Sequence, residues 1–178
     1  MKFVLLLLLF IPAVSMADQD EDFLAARDAF RKGDAAHLDR IAARLKTSPL
    51  EPYLSYYQLR LHWDEPDSSP IRQFLARSVD TPVIDQFRNE WLKYLGKRQR
   101  WSEFAEEYPH SLNADAELSC YALQQRQLSD DEGALREARS RWFSGSGQPE
   151  SCAVLFDDAI KKNVITEQDI LTRIRLAL

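Results

Sequence analysis

The sequence has little of what several function classes require. Its 178 residues include only 5 Gly and 8 Pro, which argues against a β-sandwich, because that fold needs many tight turns. Lys and Arg total 23 against 28 Asp and Glu, and they form no basic cluster, so nucleic-acid binding is excluded. The hydrophobic share of 45% and charged share of 29% fit neither a disordered chain nor a membrane-spanning body. One folded domain, or part of a larger one, remains.

The N-terminus has the pattern of an export signal. A single cation, Lys2, precedes the apolar run 3–14, which is about 12 residues long against the roughly 20 that span a bilayer. Small residues at Ser15 and Ala17 fit the −3 and −1 positions read by signal peptidase. The pattern predicts a signal peptide over 1–17, cleavage between Ala17 and Asp18, and a mature chain 18–178 outside the cytoplasm, with no membrane segment once the signal is removed. An uncleaved N-terminal anchor is the alternative.

The mature part is a succession of short amphipathic segments with helix start and stop signals between them. Gly33-Asp34 indicates a stop followed directly by an N-cap. Apolar residues at helical spacing form several stripes, among them Leu38, Ile41, Ala42 and Leu45; Tyr53, Tyr57 and Leu61, with Leu54 beside them; Ile84, Phe87, Trp91 and Leu95; Leu135, Ala138 and Trp142. Further predicted caps are Ser69-Pro70, Thr81-Pro82, the capping box Ser129–Glu132, and Thr166.

These signals predict an all-α chain of about ten helices, each roughly 10–15 residues long. Short antiparallel helices with one apolar face stack as a closed bundle or as a superhelical solenoid of hairpins, and small residues in the first pair favour a tetratricopeptide-like solenoid. The C-terminal segment 173–178 has no stop signal and nothing after it to cover its apolar side. We therefore expect the 18–178 region to be the N-terminal part of a longer α-superhelical domain, truncated at its C-terminus.

The sequence offers few candidates for chemistry. Glu106-Glu107 and the acidic run 130–132 are adjacent on helices, where neighbouring side chains point about 100° apart and do not face each other as an acid/base pair. The first pair is interpreted as a solvated helix end. His62, beside Trp63 and Asp64, suggests a polar site, but a helix end accounts for it equally well. No catalytic, cofactor-binding or metal-binding residue is assigned, and no cofactor is expected.

Cys120 and Cys152 are the only cysteines. Export would place them where disulfides persist, and one bridge would close a loop of roughly 33 residues. Two buried thiols and a metal site remain as alternatives, although the three histidines show no ligand spacing with either cysteine.

The sequence also contains many aromatic residues, with 4 Trp, 6 Tyr and 9 Phe. Exposed rings could stack on sugars, but Trp91 and Trp142 lie in apolar stripes, which favours core packing. Tyr56 and Tyr57 are adjacent, so one of them is expected to be accessible to a partner.

Several segments, taken together in order and spacing, resemble the N-terminal part of the soluble lytic murein transglycosylases. They are Pro52–Leu59, Phe87–Leu92, Arg100-Trp101, Cys120–Ala122, Arg141–Gly145, Gln148-Pro149, Cys152 and Arg173–Ala177. The resemblance implies a periplasmic protein with a U-shaped superhelix of hairpins and a disulfide between Cys120 and Cys152. It also implies a parent enzyme that cleaves the β-1,4 bond between N-acetylmuramic acid and N-acetylglucosamine, without a cofactor, to a 1,6-anhydro product. The family's catalytic glutamate and its Gly-Leu-Met-Gln type motif match nothing in this chain.

Two function classes follow. The first is the scaffold segment of a peptidoglycan-cleaving enzyme, whose partners would be the glycan strand and a downstream catalytic domain. The second is an independent periplasmic tetratricopeptide-like adaptor that binds a partner protein.

Overall fold

The computed structural model describes residues 16–77, 82–129, 132–144 and 147–177. Within these residues there are ten α-helices, two short 3-10 turns and no strand, so the predicted all-α class of about ten helices is confirmed. The helices are α1 (Met16–Lys32), α2 (Ala35–Arg44), α3 (Glu51–Leu61), α4 (Ser69–Leu75), α5 (Pro82–Lys97), α6 (Trp101–Glu107), α7 (Ala116–Gln127), α8 (Glu132–Trp142), α9 (Ala153–Lys161) and α10 (Glu167–Ala177). The 3-10 turns are Tyr108–His110 and Glu150–Cys152.

The chain divides into two compact units, residues 1–78 with α1–α4 and residues 79–178 with α5–α10. In the first unit, α1 and α2 form a hairpin through the predicted stop and cap. Gly33 takes a φ of 71°, the left-handed region that glycine enters without penalty. The Asp34 carboxylate then accepts a hydrogen bond of 3.0 Å from the His37 N–H. All four residues of the predicted α2 stripe are buried, and the stripe is confirmed.

The third helix differs from its predicted stripe. Leu54 is the buried centre of α3, whereas Tyr53 and Tyr57 are only half-buried. Their rings cover the edge of the core: Tyr57 stacks on Phe30 with centroids 4.6 Å apart, and Tyr53 meets Phe23 edge-on at 6.1 Å. Tyrosine keeps its hydroxyl in water while its ring covers apolar neighbours, which explains this placement.

The start of α4 lies one residue earlier than predicted. The helix begins at Ser69, not Pro70, and the cap position is Ser68, whose side chain makes no capping hydrogen bond. Asp67 accepts from the Ser69 N–H instead, at 2.9 Å. Proline fits the second helical position as well as the first, because no N–H in the first turn has an intrahelical partner.

Helix α5 of the second unit begins at Pro82, as the Thr81-Pro82 signal predicted, while Thr81 itself lies outside the described residues. The predicted α5 stripe is fully buried. Gly96 lies inside α5, and Gln99 (φ 55°) makes the turn into α6. A Cβ at Gly96 would lie closer than 3.0 Å to three ring atoms of Tyr121, so this glycine permits close approach of α5 and α7.

The rest of the second unit packs α7, α8 and α9 around one apolar cluster. Its buried members include Leu123, Leu135, Ala138, Leu155 and Ala159. The predicted capping box Ser129–Glu132 includes Asp130, Asp131 and the Glu132 side chain, which lie outside the described part of the chain. After α9, Asn163 takes a φ of 56° and ends the helical segment before α10. Thr166 then caps α10 and its hydroxyl accepts from the Asp169 N–H at 3.3 Å.

Candidate functional site

The predicted cleavage site lies at the start of the first helix. Ala17 and Asp18 fall in the first turn of α1, which begins at Met16, earlier than the apolar residues had indicated. The remaining signal residues 1–15 are outside the described ranges. Cleavage between Ala17 and Asp18 stays a prediction.

Cys120 and Cys152 form a disulfide that joins α7 to the 3-10 turn before α9. Both residues are fully buried. Two further bonds bind the same turn to α7: Gln124 donates to the Ser151 carbonyl at 2.5 Å, and the Ser151 hydroxyl donates to the Glu117 carbonyl at 3.1 Å. The cysteines therefore anchor a loop to a helix. Among the described residues, no group of three or more His, Cys, Asp or Glu side chains is arranged to hold a metal ion.

The adjacent carboxylates Glu106 and Glu107 have different environments. Glu106 is exposed, but Glu107 is not the solvated helix end that the sequence suggested. Its carboxylate accepts from Arg88 Nε at 2.7 Å, and the two side chains are only 17% and 12% exposed. Arg88 also pairs with Asp85 at 3.3 Å. This half-buried ion pair ties α6 to α5, so Glu107 serves packing. Asp130 and Asp131 are outside the described part.

His62 is exposed to solvent, whereas the neighbouring Trp63 is buried. His62 Nδ1 lies 2.7 Å from Glu65 Oε1, and both side chains are exposed. Trp63 is buried, with the Arg60 guanidinium 3.9 Å from its ring centroid, a cation–π arrangement. His62 is the C-cap residue of α3, in agreement with the helix-end interpretation, and its ring makes a polar contact with Glu65.

His62 lines one end of a groove in the first unit, which we call the α2–α4 groove. It consists of two hollows of about 450 and 490 Å³ that share Asp39, Ser55 and Gln58. Their other lining residues are His62, Leu59, Glu65, Pro70, Gln73, Phe74 and Arg77 in the first, and Ala42, Ala43, Lys46, Glu51 and Leu54 in the second. Sequence reasoning missed this groove. Its signal was a polar stripe on α3, since Ser55, Gln58 and His62 recur at helical spacing.

Most charges in the groove are paired within it. Glu51 accepts from Arg77 Nη1 with both oxygens, at 3.0 and 2.8 Å, and from the Ser55 hydroxyl at 2.5 Å. Gln58 donates to Asp39 at 2.7 Å. The floor is apolar, since Leu54 and Phe74 are each 1% exposed. An arrangement of this kind can form hydrogen bonds with a ligand but holds no acid/base pair for catalysis.

The aromatic residues have mostly structural environments. Trp91 is 2% exposed, so its core placement is confirmed. Trp142 is half-buried, donates from Nε1 to the Asp169 carbonyl at 3.1 Å and meets Phe156 edge-on. Tyr56 and Tyr57 are both half-buried, with their rings 5.5 Å apart. The expected partner contact at this tyrosine pair stays a prediction. Across the described helices, none has the length and apolar character to cross a membrane.

Comparison with known proteins bears out the family resemblance. The chain is 23% identical over 169 residues to the soluble lytic murein transglycosylase of Salmonella typhimurium, covering 93% of this chain and 26% of that protein. The 70 kDa soluble lytic transglycosylase of Escherichia coli superimposes with a TM-score of 0.75 and 22% identity, over 92% of this chain and 26% of that one. An inactive mutant of the Pseudomonas aeruginosa lytic transglycosylase superimposes with a TM-score of 0.72 and 26% identity, over 88% of this chain and 25% of that one.

These likenesses show a common fold of packed helices and confirm the similarity to the N-terminal region of the soluble lytic murein transglycosylases. The chain spans about a quarter of the length of the relatives that it matches. No family model matches the sequence.

Proposed function

We propose that this chain is the N-terminal scaffold segment of a periplasmic peptidoglycan lytic transglycosylase. The observation that carries the proposal is the alignment of 93% of the chain with 26% of a soluble lytic murein transglycosylase, together with the shared helical fold. The match to the N-terminal region of these enzymes supports a scaffold role for the chain. In such an enzyme the segment would contribute the first hairpins of a superhelix placed around the glycan strand.

The proposed parent reaction cleaves the β-1,4 bond between N-acetylmuramic acid and N-acetylglucosamine and leaves a 1,6-anhydro sugar. In the family it rests on a glutamate and a Gly-Leu-Met-Gln type motif, and no position of this chain corresponds to them. We therefore assign the chemistry to a catalytic domain downstream of the scaffold. The contribution of this segment would be a stable framework, supported by its buried apolar clusters and the disulfide of the second unit.

The proposed compartment is the periplasm. Residues 1–17 would be removed during export, after which the mature segment would carry no membrane anchor. Disulfides persist in this oxidising compartment, which agrees with the Cys120–Cys152 bond.

The test uses two proteins, residues 18–178 alone and the product of the whole natural gene. Each is incubated with murein sacculi, and anhydro-muropeptides are measured by chromatography with mass spectrometry. We expect release by the gene product and none above a blank by residues 18–178. Release by residues 18–178, abolished by replacing one of its carboxylates, would contradict the proposal.

Reading the gene beyond the codon of Leu178 separates the scaffold from the adaptor alternative. A frame that continues into a lysozyme-like glutamate motif supports the scaffold. A stop codon directly after Leu178 would favour an independent adaptor and overturn the proposal.

A further inference from the structure

We propose that the α2–α4 groove is a saccharide-binding site that takes a neutral segment of a β-1,4-linked N-acetylated glycan. The inference deepens the proposed function and rests on it for the choice of glycan. The site itself is argued from the groove, whose lining comes from α2, α3 and α4 and from residues that follow each of these helices.

The groove has hydrogen-bonding capacity that its internal bonds leave unused. Gln58 gives one N–H to Asp39, so its carbonyl oxygen and second N–H are available, as is the other carboxylate oxygen of Asp39. Gln73 is exposed and has no hydrogen bond within the described part of the chain. A carboxylate can accept from vicinal hydroxyl groups and from an acetamido N–H, and a planar amide can both donate to and accept from such groups. This set of groups suits a ligand rich in both.

The charge of the groove also favours a neutral ligand. Arg77 is neutralised by Glu51, and Glu65 lies 2.7 Å from the ring of His62, which is charged only when protonated. Of the charged residues that line the groove, Asp39 and Lys46 alone have no ion-pair partner among the described residues, and their charges are opposite. The groove therefore carries no excess of cations for a phosphate or polyanion, and no unpaired acidic cluster for a cation.

The α2–α4 groove is less suited to a peptide than to a sugar. Peptides that bind by strand addition need an exposed sheet edge, and the described residues contain no strand. Peptides that bind as helices need open apolar pockets for their anchors, but the floor residues Leu54 and Phe74 are each only 1% exposed. A sugar can bind chiefly through hydrogen bonds to polar side chains and does not need such pockets.

The expected affinity is modest, because the groove is open and no exposed aromatic ring lines it for stacking. We expect a dissociation constant on the order of 1 mM for a short oligosaccharide. Binding of this strength would suit a surface that holds one part of a long strand while another part reacts, since linked weak sites act together.

The test is titration of the isotope-labelled chain with the chitin tetrasaccharide, four β-1,4-linked N-acetylglucosamine units, followed by amide NMR shifts. We expect saturable shifts among residues 39–77 and none in the second unit. Gln58→Leu, which removes the shared amide, should weaken binding at least fivefold, and Asp39→Asn should weaken it measurably. Asp28→Asn is the matched control, because Asp28 is exposed on α1 outside the groove and should leave binding unchanged.

Several outcomes would overturn the inference. They are the absence of saturable shifts up to 10 mM sugar, on the order of ten times the expected constant, shifts outside the groove only, or binding unaffected by Gln58→Leu. Binding of a short peptide at the groove without binding of the sugar would assign the site to a different ligand. These outcomes would not contradict the scaffold proposal, because that proposal is tested separately by the sacculus assay and the gene sequence.

Discussion

Arg139 on α8 holds Asp169 on α10 through two parallel hydrogen bonds of 2.9 and 2.7 Å. The same carboxylate accepts from the Thr166 N–H at 2.9 Å, so it caps the helix that it belongs to and joins that helix to α8. The hydrogen bonds from Arg139, followed by that from the Thr166 backbone, lower the Asp169 pKa from 3.8 to about 2. One side chain thus combines a cap with an interhelical ion pair.

This pairing predicts a pH-dependent contribution to stability. Because the folded pKa of Asp169 lies below its unfolded value, the contribution is complete above about pH 4 and is lost as the pH falls towards 2. Asp169→Asn should therefore lower the free energy of unfolding at pH 7, and the deficit relative to the parent chain should shrink between pH 4 and 2. Urea titrations at several pH values measure this, with Asp28→Asn as the control for loss of an exposed carboxylate. A deficit independent of pH would contradict it.

Three glycines should respond differently to replacement by alanine. Gly96→Ala should destabilise by about 1–3 kcal/mol, because the new methyl group meets the Tyr121 ring. Gly33→Ala should cost about 1–2 kcal/mol through its positive φ alone, since nothing lies within 4 Å of a Cβ there. Gly147→Ala, with open space and no positive φ, is the control and should be near neutral. Urea denaturation of the three variants checks the order.

The disulfide should contribute measurably to stability. Its cysteines are 32 residues apart, and the loop-closure relation gives about 3–4 kcal/mol for such a loop. The double substitution Cys120→Ala and Cys152→Ala should lower the free energy of unfolding by roughly that amount, and the parent chain in reductant should behave alike. Non-reducing peptide mapping should recover one crosslinked peptide. Two freely alkylated thiols in the exported protein would contradict the pairing.

Cleavage after Ala17 should be visible directly in exported protein. Mass spectrometry of material recovered from the periplasm should give an N-terminus at Asp18. Ala17→Arg, which breaks the small-residue pattern, should delay processing. An exported protein that retains Met1 would show that the signal acts as an anchor.

The last helix exposes an apolar stripe that should promote association. Leu171 and Ile174 are 43% and 52% exposed, whereas Leu178 lies outside the described residues. Exposed stripes of this kind mark association surfaces. Ile174→Glu should lower the apparent mass in light scattering at high concentration. Leu112→Glu is the control, because Leu112 is more exposed, at 74%, and lies off this helix. Equal behaviour of all three proteins would contradict the prediction.

Helix stops, caps and apolar stripes in the sequence predicted much of the fold. Gly33-Asp34 and Thr166 act where they were predicted, because a stop or a cap depends on a residue's own backbone freedom and on hydrogen bonds within one turn. Ser69-Pro70 was wrong by one residue, because the Asp67 carboxylate accepts from the Ser69 N–H and the helix begins at Ser69 itself. The α2 and α5 stripes were right, because each lies on a helix with a single buried face.

By itself, the sequence determined the all-α class, the main helix stops and the burial of Trp91, since all of these follow from periodicity and short-range geometry. Only the tertiary structure decided that Gly96 admits the Tyr121 ring, that Glu107 pairs with Arg88, and that Asp39 and Gln58 share a groove. Each of these relationships joins residues from different helices. Their distances depend on how the helices pack, and the spacing of residues along one helix carries no information about the side chains on the next.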